Sequence, residues 1–331
     1  MKRISMKTFV AVITFVICNC VVFQCPLSAQ VQFPTRPITL WSGFPAGGAV
    51  DIQARVLAEA LEKSLGQKVV VVDKAGAGGA VGASQLVKEK PDGYTLLVSN
   101  DTAITRAPHL SDLTFDPFND LDHFMMIGKW KNVWTVRSDS QFKKWEELVD
   151  WAKKNPNELV FGHCVASTFY FGMVRIAKKE GFTFKSVPLA CETPTINALL
   201  GGHTMMGGGT ATPYQSLEKA NTVRIILSDE KVNYVSDQAH QTTFADMRYD
   251  FEVPGTTLIL APKGIPVAIR SILEKAFLDA MKTEAFQTVL KNSEFIFSPL
   301  TGKEFTEYLK KTSINYEGLI KEAGMHKSQK K

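Results

Sequence analysis

Two glycine-rich turns constrain this chain more than any other feature. The first is Phe44-Pro45-Ala46-Gly47-Gly48-Ala49-Val50-Asp51; the second is Gly76-Ala77-Gly78-Gly79-Ala80-Val81-Gly82. Each follows an apolar run that reads as a buried strand, Ile38-Thr39-Leu40-Trp41 before the first and Val69-Val70-Val71-Val72 before the second, and each leads into a helical pattern. Strand, glycine turn and helix in that order aim free backbone N–H groups at an anion. Glycine suits such a turn because it accepts positive φ and lets a ligand approach a backbone without a Cβ. Two matched turns one strand apart suit the two oxygens of one carboxylate; the competing reading is a pair of ordinary tight βα connections. A dinucleotide fingerprint fails because Val81 stands where glycine or alanine is required, and neither turn ends in the Gly-Lys-Ser/Thr of a P-loop.

The N-terminus reads as an export signal. Lys2, Arg3 and Lys7 form a positive start, Phe9 to Phe23 an apolar stretch, and Leu27-Ser28-Ala29 a small-residue cleavage site before Gln30. The apolar stretch is about 15 residues, short of the ~20 that span a bilayer. Cys18, Cys20 and Cys25 lie here without the leucine-and-small-residue approach of a lipoprotein site. Cleavage near Ala29 leaves about 300 residues, enough for two domains. Losing three basic residues lowers the formal charge from +5 to +2, too close to neutral for a nucleic-acid binder by charge. No later segment is long and apolar enough to cross a membrane. Only Cys164 and Cys191 survive cleavage, in an oxidising space where a disulfide is allowed. Adjacent His163 and Cys164 lack metal-site spacing, so no metal or cofactor is expected.

The rest of the chain alternates strand and helix, as in a doubly wound α/β sheet. Ile52, Val56, Ala60, Leu61 and Leu65 share a helical face that stops at Gly66. A helix over 82–90 ends at Pro91-Asp92-Gly93, and Tyr94 to Val98 forms a third buried strand. Strands are expected at 124–127, 133–136, 159–162 and 187–189, with helices over 145–154, 168–179 and 194–200. Val223 to Leu227 and Thr257 to Leu260 resume a sheet, and helices follow near 266–281 and 283–292. Thr301-Gly302-Lys303-Glu304 is a capping-box pattern opening the last helix, which runs toward Gly324.

A set of motifs now falls in order: Pro37-Ile38-Thr39-Leu40, the first glycine turn with Asp51, the second glycine turn, Pro91-Asp92-Gly93-Tyr94-Thr95-Leu96-Leu97, Phe115-Asp116-Pro117, Ala198-Leu199-Leu200-Gly201-Gly202 and Ala261-Pro262. Together they resemble the periplasmic solute-binding receptors of tripartite tricarboxylate transporters, the Bug-type receptors. The resemblance implies a two-lobed "Venus flytrap" α/β fold, each lobe a sheet flanked by helices. It also implies a small organic carboxylate ligand, a partner membrane transporter, a periplasmic location and no covalent chemistry. It divides the chain into a first lobe of residues 30–100 and 222–325, a second lobe of 101–221, and a flexible tail of 326–331; the protein is expected to be a monomer. In the family the two glycine loops pinch a carboxylate, partly through water, and the second lobe selects the rest of the ligand.

That resemblance assigns the binding residues Phe44, Ala46, Gly47, Gly48 and Asp51 in the first loop, and Ala77, Gly78 and Gly79 in the second. It adds Ser99, Asn100 and Asp101 at the lobe crossover, and Cys164, Ser167, Thr168, Cys191 and Thr212 in the second lobe. Several have structural readings too. Asp51 suits the helix dipole and an i+4 pair with Arg55, and an acid beside an anion pocket would repel the ligand. Ser99 to Thr102 suit a turn, and Ser167 or Thr168 a helix cap. The second lobe departs from the family pattern at Gly162-His163-Cys164-Val165-Ala166-Ser167, at Val187-Pro188-Leu189-Ala190-Cys191 and at Thr204-Met205, so ligand identity does not transfer. Three states stay open for Cys164 and Cys191: a disulfide, two thiols lining the pocket, or two unrelated buried cysteines. Two other functions stay open as well: a sensor feeding a signalling partner, and a hydrolase using Ser167 or Cys164 with His163, which lacks a nucleophile elbow.

Overall fold

The computed structural model describes residues 32–190, 192–232 and 242–329. The proposed signal segment and Cys191 lie outside them. Eleven strands among the described residues form two sheets. The first orders β11(Ile296–Thr301), β4(Leu121–Trp130), β10(Gly255–Pro262), β3(Thr95–Asn100), β1(Ile38–Ser42) and β2(Val69–Asp73). The second orders β7(Phe184–Leu189), β6(Leu159–Cys164), β8(Met206–Thr210), β5(Asn132–Arg137) and β9(Val223–Ser228). Helices flank both, so the two-sheet α/β class is the one expected.

Sheet membership differs from the expected boundaries at two strands. β4 falls within 101–221 yet pairs with β10 and β11 in the first sheet. β9 falls beyond 221 yet pairs with β5 in the second. The chain therefore crosses after β4 and returns after β9. The apolar run Leu121 to Trp130 is almost wholly buried, and β10 is buried at every residue, so each needs a neighbour on both sides. β2 is an edge instead of a buried strand: Val70 and Val72 are exposed.

Helix α1(Ala49–Leu65) ends at Gly66, whose left-handed φ of 68° closes the C-terminus. α2 is shorter than read, Ala80–Leu86. α3(Thr102–Thr105) and α4(Ala107–Leu110) fill the stretch after β3. α5(Trp145–Lys154), α6(Thr168–Glu180), α7(Glu192–Leu200) and α8(Ala211–Lys219) surround the second sheet. α9(Val267–Met281), α10(Glu284–Asn292) and α11(Gly302–Glu322) follow β10. The capping box at Thr301 does not form, since its side chain caps nothing. Within the tail, Lys327 pairs with Asp112 at 2.9 Å, and residues 327–329 close a 3-10 turn.

Each sheet has its own core, and α11 reaches both. Phe305 and Leu309 pack with Leu97, Leu121 and Leu258 of the first; Tyr316, Leu319 and Ile320 pack with Trp134, Phe161 and Phe171 of the second.

Candidate ligand-binding site

Strand direction fixes where the loops emerge. β1 runs parallel to β2 and β3, so their C-terminal ends share one side of the first sheet. β10 runs against β3 with Thr257 opposite Asn100, and β4 ends with Trp130 opposite Gly255, so the crossovers leave from that side. In the second sheet β6 is parallel to β7 and β8, and Asn132 at the start of β5 lies opposite Thr210 at the end of β8. The C-terminal ends of both parallel sets therefore border the crossovers, where open α/β sheets place their ligands.

The first loop is braced from below. Asp51 is buried and takes the Gly47 N–H on Oδ2 at 2.8 Å; Arg55 Nε reaches the same oxygen at 2.9 Å. Burial raises the Asp51 carboxyl, but the Arg55 hydrogen bond and charge and the Gly47 N–H outweigh it, holding the acid below its ordinary value. Asp51 thus sits beneath the loop as a charged brace rather than on its surface, which removes the repulsion foreseen for an acid facing an anion. The Gly48 N–H turns back to the Pro45 carbonyl at 3.2 Å. Two donors expected for the ligand are thereby spent. The first bond of α1 runs from Ile52 N–H to the Gly48 carbonyl, so the N–H groups of residues 49 and 50 stand at an open helix start. Ala46 and Gly47 are exposed above them.

The second loop is strained. Ala77, Gly78 and Gly79 carry φ of 47°, 64° and 91°. Alanine in the left-handed region costs ~1–2 kcal/mol, and such strain collects at ligand sites. A Cβ on Gly78 would stand 2.8 Å from Thr102 Cγ2, and one on Gly79 2.3 Å from Ser99 Oγ. These two glycines are therefore required by the third loop packed behind them. Gly47 differs: no protein atom lies within 4 Å of its Cβ position.

Ser99 ties the loops together. Its hydroxyl also lies 2.5 Å from the Cβ position of Gly43, and Phe44 Cε2 is 3.8 Å from that of Gly79. Ser99 Oγ is buried and makes no hydrogen bond among the described residues. Asn100 accepts the Thr102 N–H at 3.0 Å, an Asx turn. Asp101 departs from its expected role. It is fully buried, accepting from Arg106 at 3.1 Å, Thr105 Oγ1 at 3.0 Å and Thr256 N–H at 3.2 Å, so it fastens β10 to α3 and has no face toward a ligand.

The second-lobe residues divide likewise. Ser167 caps α6, accepting the Tyr170 N–H at 3.4 Å and donating to the Cys164 carbonyl at 2.7 Å, so the capping reading holds. Thr168 is buried and donates to Asn132 Oδ1 at 2.6 Å; it belongs to the crossover instead of the binding surface. Thr212 donates to the Ser293 carbonyl at 2.7 Å, a link to the loop before β11. Cys164 is half-buried at the end of β6. His163 engages Ser186 Oγ at 2.7 Å and the Cys164 carbonyl at 2.8 Å, and stacks on Tyr170 with centroids 4.0 Å apart. The ring nitrogens thus meet Ser186 and the Cys164 carbonyl while Ser167 serves the backbone, so Ser167 is not paired with His163.

Two polar groups here escaped the sequence reading. Glu192 Oε1 takes the Thr210 N–H at the end of β8, and burial raises its carboxyl above the ordinary value. Asn132, where the chain enters the second sheet, donates its backbone N–H to Asp229 Oδ1 at 2.7 Å and its amide to Asp229 Oδ2. Burial pushes Asp229 up to about 7, against the opposing pull of those hydrogen bonds. The partners lie 97 positions apart, and no local pattern announces such a pair.

A family model described as "Tripartite tricarboxylate transporter family receptor" matches residues 53–325. A UPF0065 protein from the gbd 5' region of Cupriavidus necator is 29% identical over 308 residues, covering 92% of this chain and 93% of its own length. The structure of the periplasmic binding protein BugD superposes with a TM-score of 0.73 at 24% identity, over 89% of this chain and 99% of that one. An R. palustris protein solved with adipate gives a TM-score of 0.76 at 21% identity, over 88% and 98% of the two chains. At these identities the two structures speak to the fold.

Proposed function

Because the chain belongs to the tripartite tricarboxylate transporter receptor family, we propose that it captures a small organic carboxylate between two lobes and hands it to the membrane subunits of such a transporter. Residues 34–130 and 255–329 make the first lobe in this reading, and 132–253 the second. Residues 1–29 act as a cleaved export signal, and the receptor works as a periplasmic monomer that leaves its ligand chemically unchanged.

One observation carries the proposal: three loops meet around the buried Ser99 hydroxyl at the C-terminal ends of parallel strands. The exposed Gly47 turn stands over a helix start on one side, and the strained Ala77-Gly78 turn opens a second on the other. Backbone dipoles then neutralise the anion without a cation in contact, which keeps release easy. The related protein solved with adipate is consistent with a dicarboxylate as the first class to test.

A thermal-shift screen of mono-, di- and tricarboxylates, aliphatic and aromatic, tests this. A ligand at a hundred times its Kd stabilises the native state by about 2.7 kcal/mol, which moves the midpoint by several degrees. The expected result is a saturable rise with at least one carboxylate and none with its amide. A panel in which only neutral or cationic solutes shift the midpoint would overturn it.

A further inference from the structure

Three side chains from different elements meet away from the cleft. His109 comes from α4, Glu317 from α11, and His326 from the turn after α11. One donor atom from each lies within 4.8 Å of the other two. The geometry points to a site for a divalent transition metal of the zinc class, held by the two imidazoles and the carboxylate, with water completing the sphere.

The donor set is right for that class and wrong for magnesium or calcium, which take oxygen ligands. Zinc sits 2.0–2.2 Å from nitrogen and oxygen ligands, so closing on an ion draws the three side chains inward by about an ångström. His109 and Glu317 are half-buried and His326 is buried. Each imidazole already has one nitrogen committed. His109 Nε2 meets Ser313 Oγ at 2.9 Å, and His326 Nδ1 meets Ser328 Oγ at 2.7 Å. The His109 bond orients its ring and leaves Nδ1 for a metal; His326 Nδ1 also accepts the Ser328 N–H at 3.2 Å, so ligation by its Nε2 requires the tautomer in which Nδ1 donates to Ser328 Oγ and that backbone contact is given up. Lys321 Nζ donates to Glu317 Oε1 at 2.6 Å, which leaves Oε2 for the ion.

The bound ion would fasten the tail to the fold. Lys327 already pairs with Asp112, just beyond α4, and Gln329 Nε2 donates to the Lys321 carbonyl of α11 at 3.4 Å. A metal adds a third tie between α4, α11 and the tail. None of these ligands belongs to the glycine loops, so the site is independent of the carboxylate cleft.

Zinc chloride titrated calorimetrically into untagged, chelator-stripped protein is the test, with cobalt(II) absorption on the same sample. One equivalent bound at micromolar metal is expected, with a cobalt spectrum of a four- or five-coordinate nitrogen/oxygen site. His109→Asn, Glu317→Gln and His326→Asn should each weaken zinc at least tenfold, whereas H203N, altering an exposed histidine of the second lobe, should not. Circular dichroism on each variant separates lost ligation from lost fold; His326 follows α11 and is part of no long helix or strand, so H326N keeps the test readable if the others unfold. Zinc should also raise the melting temperature of the parent and not of H326N. Failure to bind one equivalent, or undiminished binding in folded H326N, would overturn the assignment.

Discussion

Gly47 and Gly78 look interchangeable as letters, but their surroundings separate them. A methyl group on Gly78 runs into Thr102, so Gly78→Ala should damage the loop itself. Gly47→Ala meets no protein atom, and its φ of 76° costs ~1–2 kcal/mol. The variant is therefore expected to fold, melt a few degrees lower, and bind the carboxylate at least tenfold more weakly by calorimetry; parental affinity in a folded variant would remove this turn from the site. Asp229 yields a second expectation. Its carboxyl keeps its proton up to about 7 when folded, whereas an unfolded aspartate releases it near 3.8. Between those values the native state holds more protons, so stability falls as pH rises through the window and levels off above it. Asp229→Asn should flatten that decline, read as a smaller gap between urea midpoints at pH 5 and pH 8. An unchanged gap would show that Asp229 does not set the slope.

At the scale of elements, what could be read depended on whether local pattern or distant neighbours decide the structure. Val69 to Val72, Tyr94 to Val98 and the helix stopping at Gly66 follow propensity and punctuation, and all three form. β8, Met206-Gly207-Gly208-Gly209-Thr210, has no strand signal because three glycines pack no side chains of their own. Its reason is steric: a Cβ on Gly208 would meet Phe169 at 3.0 Å and Phe161 at 3.1 Å, and one on Gly209 would meet Tyr214 at 2.6 Å. The strand is thin so that aromatic rings can close over it. Gly208→Val should cost ~1–3 kcal/mol or more by overpacking, measured by urea unfolding; a loss under half a kcal/mol would mean that the rings yield freely. The loops of the candidate site were legible because glycine marks backbone geometry directly. The buried roles of Asp101 and Thr168 were not, since Thr256 and Asn132 reach them through the tertiary fold. The same holds for His109, Glu317 and His326, whose spacing carries no ligand pattern.

For the molecule as a whole, two sheets with their own packed clusters, joined by crossovers, make hinge motion the natural response to a ligand. α11 spans the joint, with Tyr316 donating to the Pro254 carbonyl at 2.7 Å while Arg106 lies 4.7 Å over its ring. Lys131 to Glu294 at 2.7 Å and Thr212 to Ser293 add links across it. A carboxylate found by the thermal screen should therefore reduce the radius of gyration in solution scattering; superimposable curves with and without saturating ligand would argue against closure. The sheet order carries a further consequence. β10 lies between β3 and β4, yet the ribosome makes it only after the entire second sheet. Until β10 is synthesised, β3 and β4 each present an open hydrogen-bonding edge flanked by apolar residues, the surface on which chains aggregate. The first lobe, though begun first, is finished last, and its assembly waits on a long-range closure that slows folding.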